Sequence, residues 1–300
     1  MNRETVQGTD DRSAAVGVRG AVVVAHGGTE VSADPVTPLD PAVLRMIPLA
    51  LAIRHGLRGS GIAVSRPRYR VRGWNGELAS PVQDLRAAID EAVARFGAVP
   101  VVLIGHSMGA RAAFRVAGHP AVTAVAGLAP WLPPTEPVEQ LAARRVLLAH
   151  GTADRITSPA ETWAYAERAR SVTAVATIEV RDGEHTMLRR GALWHRLAVE
   201  FSRLALGLPA AGPAAVAAAF RDAAGGRHLA LAMPWRNRAA CYQAAPIRRS
   251  RQTAPAPLSC RETSGRRPDA AALRRPSAGT SSAGRTRRGC RRRGTRSCLV

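Results

Sequence analysis

The 300-residue chain contains no lysine; all 43 of its basic residues are arginines, set against 22 acidic residues. Such uniform use of arginine reads as coding bias more than as selection for phosphate binding. No cysteine precedes Cys241, so neither a disulfide nor thiol chemistry can serve the first 240 residues. The later cysteines, Cys241, Cys260, Cys290 and Cys298, follow no zinc-ligand spacing, and no other cluster suggests a metal. Residues Met1 to Arg19 are polar, include Asp10-Asp11, and lack the apolar segment of a signal peptide. The alanine-rich run Leu208 to Phe220 is interrupted by Pro209 and Pro213 and is too weakly apolar to span a bilayer. Only two residues follow Cys298, which excludes a prenylation box. These absences predict a cytoplasmic protein without membrane contact, metal or cofactor, and they leave its oligomeric state open.

What charge there is lies unevenly. Residues 1–210 carry 24 Arg and 19 acids, whereas residues 211–300 carry 19 Arg and 3 acids. Beyond Gly207 no hydrophobic period lasts, and Arg, Ala, Pro, Ser, Gly and Thr dominate. The composition divides the chain into a flexible N-terminus (1–19), a folded domain (20–207) and an Ala/Pro/Arg-rich tail (208–300) that is largely disordered, fully so over 225–300. The tail is either a non-specific binder of nucleic acid or anionic surfaces or an extension without a role; the second reading is preferred.

Within 20–207, short apolar runs alternate with helical patterns. Strands are expected at Ala21–Ala25, Ile62–Ser65, Val101–Ile104, Val122–Ala126, Val146–Ala149 and Val175–Val180. Asp40-Pro41 reads as the start of a helix with a stripe of Leu44, Ile47 and Leu51, kinked at Pro48. Ser80-Pro81-Val82-Gln83 and Ser158-Pro159-Ala160-Glu161 read as capping boxes. The helix after the first buries Val82, Leu85, Ile89 and Phe96, and the last helix buries Trp194, Leu197, Phe201 and Leu204. Alternation of this kind predicts an α/β protein: a doubly wound, mostly parallel sheet of about six strands with helices on both faces.

The densest chemical signal is Val101-Val102-Leu103-Ile104-Gly105-His106-Ser107-Met108-Gly109. A doubly buried strand runs into Gly-x-Ser-x-Gly and then into good helix formers, so Ser107 is placed at a sharp strand-to-helix turn. Gly105 and Gly109 keep side chains out of that crowded space, and the Met108 N–H opens the helix beside the serine oxygen. Two later strand ends carry His150-Gly151-Thr152-Ala153-Asp154 and Asp182-Gly183-Glu184-His185. In a doubly wound sheet such loops meet at one edge.

The order Ser107, Asp154, His185, together with the early His26-Gly27-Gly28 loop, resembles the α/β-hydrolase family over most of residues 20–207. The resemblance implies a small, lidless serine hydrolase, esterase-like, since only a short proline-rich stretch separates the strands at Val122 and Val146. It further implies Ser107 as nucleophile, His185 as base and Asp154 as the acid orienting it, with Asp182 or Glu184 as rival acids. The backbone N–H groups of Met108 and Gly28 become the oxyanion donors, with Gly27 as the alternative.

Trp74 and Trp131 are candidate walls of an acyl pocket, balanced against ordinary packing. His26, His106 and His150 also stand at strand ends and are assigned to packing around the site. His195 is read as solvated on the last helix, and Arg66, Arg68, Arg70 and Arg72 as a solvated loop. The expected partner is a small-molecule acyl substrate, most simply a carboxylic ester, with thioesters, lactones and amides sharing the same tetrahedral chemistry. The competing reading is a binding protein of the same fold that has lost catalysis.

Overall fold

A computed structural model describes residues 17–210, 212, 214–223, 228–231 and 243–245. In chain order the elements are β1 (Gly20–Ala25), α1 (Pro41–Gly56), β2 (Ile62–Ser65), α2 (Ser80–Phe96), β3 (Val101–His106), α3 (Met108–Val116), β4 (Val122–Leu128), β5 (Arg145–Gly151), α4 (Pro159–Ala169), β6 (Val175–Val180), α5 (Gly191–Ala205), α6 (Ala215–Ala223), β7 (His228–Leu231) and β8 (Gln243–Ala245). The strands form one sheet in the order β2-β1-β3-β4-β5-β6-β7-β8. All neighbours are parallel except β7 and β8.

The apolar runs are continuous because both faces of the sheet are covered. Val22, Val24, Val102, Ile104, Leu147 and Ile178 point to one face, where α1, α5 and α6 supply Met46, Ile53, Trp194 and Val216. Ala21, Val23, Leu103, Val146, Leu148 and Val175 point to the other, where α2, α3 and α4 supply Leu85, Ile89, Phe114 and Tyr165. Each fully buried Leu, Ile or Phe in these layers contributes roughly 1.5–3 kcal/mol through area removed from water. The two cores hold the strand ends, and therefore the loops carrying polar residues, along a single edge. Between β4 and β5 lie only residues 129–144 with one short 3-10 turn at Glu139–Leu141, so no lid is inserted there.

Several local expectations are corrected. Helix α1 buries Val43, Met46, Leu49, Ala50 and Ile53, while Leu44 and Leu51 are exposed. The helix is apolar on more than one side, and docking against α5 and the sheet selects a stripe one residue out of phase with the expected one. It passes through Pro48, which lies on the exposed side. Asp40 precedes α1 without capping it; its carboxylate accepts from Thr37 and Arg72 instead. Ser80 is already the first residue of α2, after a left-handed Ala79, and forms no capping box. Ser158 does cap α4, its hydroxyl accepting the Glu161 N–H at 3.2 Å. Leu204 is only partly buried, and His195 is half-buried, not solvated.

Ordered structure also continues past Gly207. Helix α6 buries Ala215, Val216, Ala218 and Ala219 against α5 and β6. Small side chains allow close approach there without a broad apolar stripe. Strands β7 and β8 extend the sheet beyond β6 and add to the six expected; they too fall in the stretch assigned to the tail. The remainder of that assignment, its proposed nucleic-acid binding and the residues before 17 lie outside the described residues. No described helix is long and apolar enough to cross a membrane.

Candidate active site

Strand β3 ends at His106, and Ser107 turns the chain into α3 with φ 55° and ψ −124°. A non-glycine residue held there stores strain that its surroundings must over-determine. The constraint is visible in the glycines on either side. A Cβ on Gly105 would lie 2.4 Å from the Ala110 Cα, and one on Gly109 would lie 2.3 Å from the His26 carbonyl oxygen. The serine turn is thus wedged between the start of α3 and the loop leaving β1. Ser107 is fully buried.

The loops after β5 and β6 bring two side chains to it. His185 Nε2 lies 3.0 Å from Ser107 Oγ, and His185 Nδ1 lies 2.8 Å from Asp154 Oδ2. An ionised carboxylate can only accept, so Nδ1 carries the proton and Nε2 faces the serine hydroxyl as acceptor. Asp154 Oδ1 accepts the N–H groups of Ile156 at 2.8 Å and Thr157 at 3.0 Å, which ties the carboxylate to the turn leading into α4. Burial by itself would raise the Asp154 pKa. Hydrogen bonds from His150 and His185, the charge of His185 and the Thr157 N–H outweigh it and hold the carboxyl far below its ordinary range.

The rival acids are occupied elsewhere. Asp182 pairs with Arg190 at 2.9 Å. Glu184 Oε1 accepts from the Thr186 hydroxyl and from the N–H groups of Leu188 and Arg189. Asp154 is the carboxylate that touches His185.

Beside the serine, the N–H groups of Met108 and of both Gly27 and Gly28 donate to no group among the described residues. Gly28 packs on the Met108 side chain and the Arg72 carbonyl, and Gly27 packs on Ser107 Cβ. Both remain available for the proposed donor role.

Trp131 abuts the serine turn, its backbone N–H donating to the Ser107 carbonyl at 3.3 Å. Trp74 is buried behind it, edge-to-face at 6.0 Å between ring centroids. The Arg111 guanidinium lies 3.9 Å from the Trp74 centroid and 4.3 Å from the Trp131 centroid, and it pairs with buried Glu136, which also binds Arg115. Arg111 and Glu136 were not singled out in the sequence. Their signal is an arginine in the otherwise apolar first turns of α3, and a carboxylate inside a proline-rich loop. Arg66, Arg68 and Arg70 are exposed as expected, and Arg72 is half-buried; Arg70 and Arg72 also pair with Asp84 and Asp40.

The other strand-end histidines do more than fill space. His106 Nε2 donates to the His185 carbonyl at 2.8 Å. Burial, then the neighbouring charges of His185 and Arg45, push it toward the neutral form. His26 donates Nδ1–H to the Gly27 carbonyl at 2.6 Å and accepts the Tyr69 N–H at 3.3 Å; burial lowers its pKa to about 4. His150 contacts Asp154 directly. Among the described residues no group of three or more His, Cys, Asp or Glu side chains is arranged to hold a metal.

A family model described as serine aminopeptidase, S33, matches residues 51–147. That segment contains Ser107 and stops short of Asp154 and His185. No protein of curated function matches the sequence. Among solved structures, a candidate α/β hydrolase of unknown function from Agrobacterium tumefaciens is similar at 16% identity and TM-score 0.50, over 64% of this chain and 88% of that one. An α/β serine hydrolase without lid from Xanthomonas campestris shares 19% identity over 66% of this chain and 86% of that one, with TM-score 0.46. The esterase domain of a Rhodothermus marinus protein shares 19% identity over 65% of this chain and 89% of that one, also at 0.46. With the serine turn inside the matched segment and the sheet shared with the Agrobacterium protein, the chain carries the α/β-hydrolase fold and resembles the α/β-hydrolase family.

Proposed function

We propose that the protein is a serine hydrolase cleaving a small acyl ester through Ser107, His185 and Asp154. The observation that carries this reading is the continuous chain from Ser107 Oγ through both nitrogens of His185 to Asp154 Oδ2, at 3.0 Å and 2.8 Å. A serine hydroxyl is a weak nucleophile until a base takes its proton. In the proposed reaction His185 Nε2 accepts that proton as Oγ attacks the acyl carbon. Asp154 stabilises the resulting imidazolium and keeps Nδ1 protonated. The oxyanion is received by the N–H groups of Met108 and Gly28. The imidazolium then protonates the leaving alkoxide, an acyl-Ser107 remains, and water activated by His185 releases the acid.

The short β4–β5 connection favours small acyl groups presented between Trp131 and the neighbouring loops. The test is turnover of a graded panel of acyl esters, thioesters and an aminoacyl anilide by the wild type and Ser107→Ala, with a fluorophosphonate probe alongside. Short esters turned over by the wild type, and labelling lost in Ser107→Ala, support the reading. Preference for the anilide would move the substrate to amides. A folded wild type that neither labels nor turns over any member would favour a binding protein of this fold.

A further inference from the structure

The proposed mechanism leaves one buried titratable side chain at its centre without a task. His150, the penultimate residue of β5, is completely buried. Its Nε2 lies 3.1 Å from Asp154 Oδ2, the same oxygen that receives His185 Nδ1–H at 2.8 Å. On its far side Nδ1 lies 2.7 Å from Thr162 Oγ1. Two imidazoles therefore share one carboxylate oxygen. We propose that His150 is a positioning residue for the hydrolysis described above, fixing the Asp154 carboxylate and moderating the pull of its charge on His185.

The proton inventory supports the direction of this interaction. Asp154 is ionised and can only accept, so the His150 nitrogen facing it must bear a proton. In a neutral imidazole that leaves Nδ1 as an acceptor, and the Thr162 hydroxyl fills it. Thr162 sits on α4 and is itself fully buried, so the tautomer of His150 is set by a rigid element. The Trp163 ring, 6.2 Å from His150 in an edge contact, closes the same side. A donor on Oδ2 draws negative charge toward β5 and away from the imidazolium that forms at His185. Removing it concentrates that charge on the His185 side, which favours the protonated imidazole.

Other groups face the pair, and the inference requires them to stay constant. Thr157 Oγ1 lies 3.1 Å from Asp154 Oδ2 and 3.1 Å from His185 Nδ1. From the end of β3, the His106 ring is 4.9 Å from that of His185 and holds its backbone carbonyl. In the His185 loop, Glu184 is committed to the turn at 186–189, and Arg45 on α1 interacts with it electrostatically. Arg155, next to Asp154, is exposed. Of these, Thr157 also meets position 150, its Oγ1 lying 3.4 Å from His150 Nε2; Thr162→Val leaves that contact in place, so a midpoint that moves in both variants belongs to the His150 donor.

The experiment uses the full chain and two readouts: the acid limb of kcat/KM against pH for a short ester, and the titration midpoint of His185 by 15N NMR. Four proteins are compared: wild type, His150→Phe, His150→Gln and Thr162→Val. In His150→Phe both readouts should move upward together, by about 0.5–1 unit for one lost donor to a carboxylate. His150→Gln, which retains an N–H donor, should restore most of the wild-type value. Thr162→Val, an isosteric change that releases the tautomer, should shift both readouts in the same direction by less.

A role confined to packing would lower thermal stability without moving either midpoint. An unmoved or lowered His185 midpoint in folded His150→Phe overturns the proposal. If that variant does not fold, an unmoved midpoint in Thr162→Val overturns it instead. The NMR readout needs no turnover. A wild type inactive on every ester would therefore count against the hydrolase reading alone, and the His185 midpoints would still decide the role of His150.

Discussion

Gly28→Ala tests the oxyanion assignment through geometry. A Cβ at Gly28 would lie 2.3 Å from the Arg72 carbonyl oxygen and 2.3 Å from Met108 Cε. The methionine tip can swing aside. The carbonyl is backbone and already accepts the Thr29 N–H at 2.9 Å, so the loop must yield. Restoring van der Waals contact requires the 27–29 segment to retreat by about 1 Å, a displacement of the size that costs ~10²-fold in rate when it misplaces a reacting group. Loss of one oxyanion donor alone is typically worth ~3 kcal/mol of barrier. We therefore expect kcat on a short ester to fall ~10²–10³-fold in Gly28→Ala, with KM changed only a few-fold because the donor acts on the transition state. Gly27→Ala is the internal control. Its nearest contacts would be 3.3 Å to His106 Nδ1 and 3.3 Å to Ser107 Cβ, which a shift of a few tenths of an ångström relieves, so a loss below ~10-fold is expected. Stopped-flow or steady-state hydrolysis, with circular dichroism to verify folding, measures both. A folded Gly28→Ala whose kcat stays within about threefold of wild type would refute the assignment. The reverse ranking would move the donor to Gly27.

Three further outcomes follow from the same structure. Glu136→Gln leaves the buried Arg111 guanidinium without its carboxylate; with the Trp74 and Trp131 faces still in place the loss should be about 3 kcal/mol, toward the low end for a broken buried pair, and urea unfolding would expose a loss below 1 kcal/mol as a failure. His26 is neutral when folded, its pKa lowered to about 4 by burial, so the unfolded chain binds more protons between its ordinary value and that point. Stability should fall as pH drops from about 6.5 to about 4, by at most roughly 3 kcal/mol from this residue, and His26→Gln should flatten the wild-type curve over that window. Asp154 works in the same sense over a lower window, its depressed pKa contributing stability that is present above the ordinary carboxylate range and lost only as pH falls below it. Finally, a chain ending at residue 247 keeps every described element, whereas one ending at 224 removes β7 and β8 and bares the β6 edge; only the shorter chain should aggregate on concentration, as light scattering would reveal.

The strand ends were legible because their chemistry and their fold signals coincide. Ser107 is announced by the buried strand before it and the glycines around it, and Asp154 and His185 each lie in the loop that follows a recognisable strand. Helix α1 shows where such reading stops. Its stripes Val43-Met46-Leu49-Ile53 and Leu44-Ile47-Leu51 have the same period and similar hydrophobicity, and only docking against α5 and the sheet selects between them. Helix α6 was missed for the opposite reason: alanines give a faint stripe, yet their small size is what permits close packing on β6. His150 and His106 were placed beside the site but not within its hydrogen-bond chain. Their partners, Asp154 Oδ2 and the His185 carbonyl, come from loops that meet only after the sheet forms.

With no lid inserted between β4 and β5, the loop 129–144 shapes that side of the site. Trp131 opens that loop with its N–H on the Ser107 carbonyl, so any movement of the loop reaches the proposed nucleophile directly. What holds it is charge. Glu136 accepts from Arg111 and Arg115 on α3, while its own carbonyl accepts from Arg168 on α4 at 2.8 Å. Helix α3 begins at the Ser107 turn and α4 begins just after the Asp154 turn, so one buried carboxylate connects the elements that present the proposed nucleophile and acid. A Glu136→Gln protein should accordingly lose turnover beyond its loss of stability. At temperatures where it remains fully folded, kcat on short esters should drop while fluorophosphonate labelling slows in parallel. Unchanged labelling in the folded variant would mean that the loop shapes the pocket without bearing on the serine.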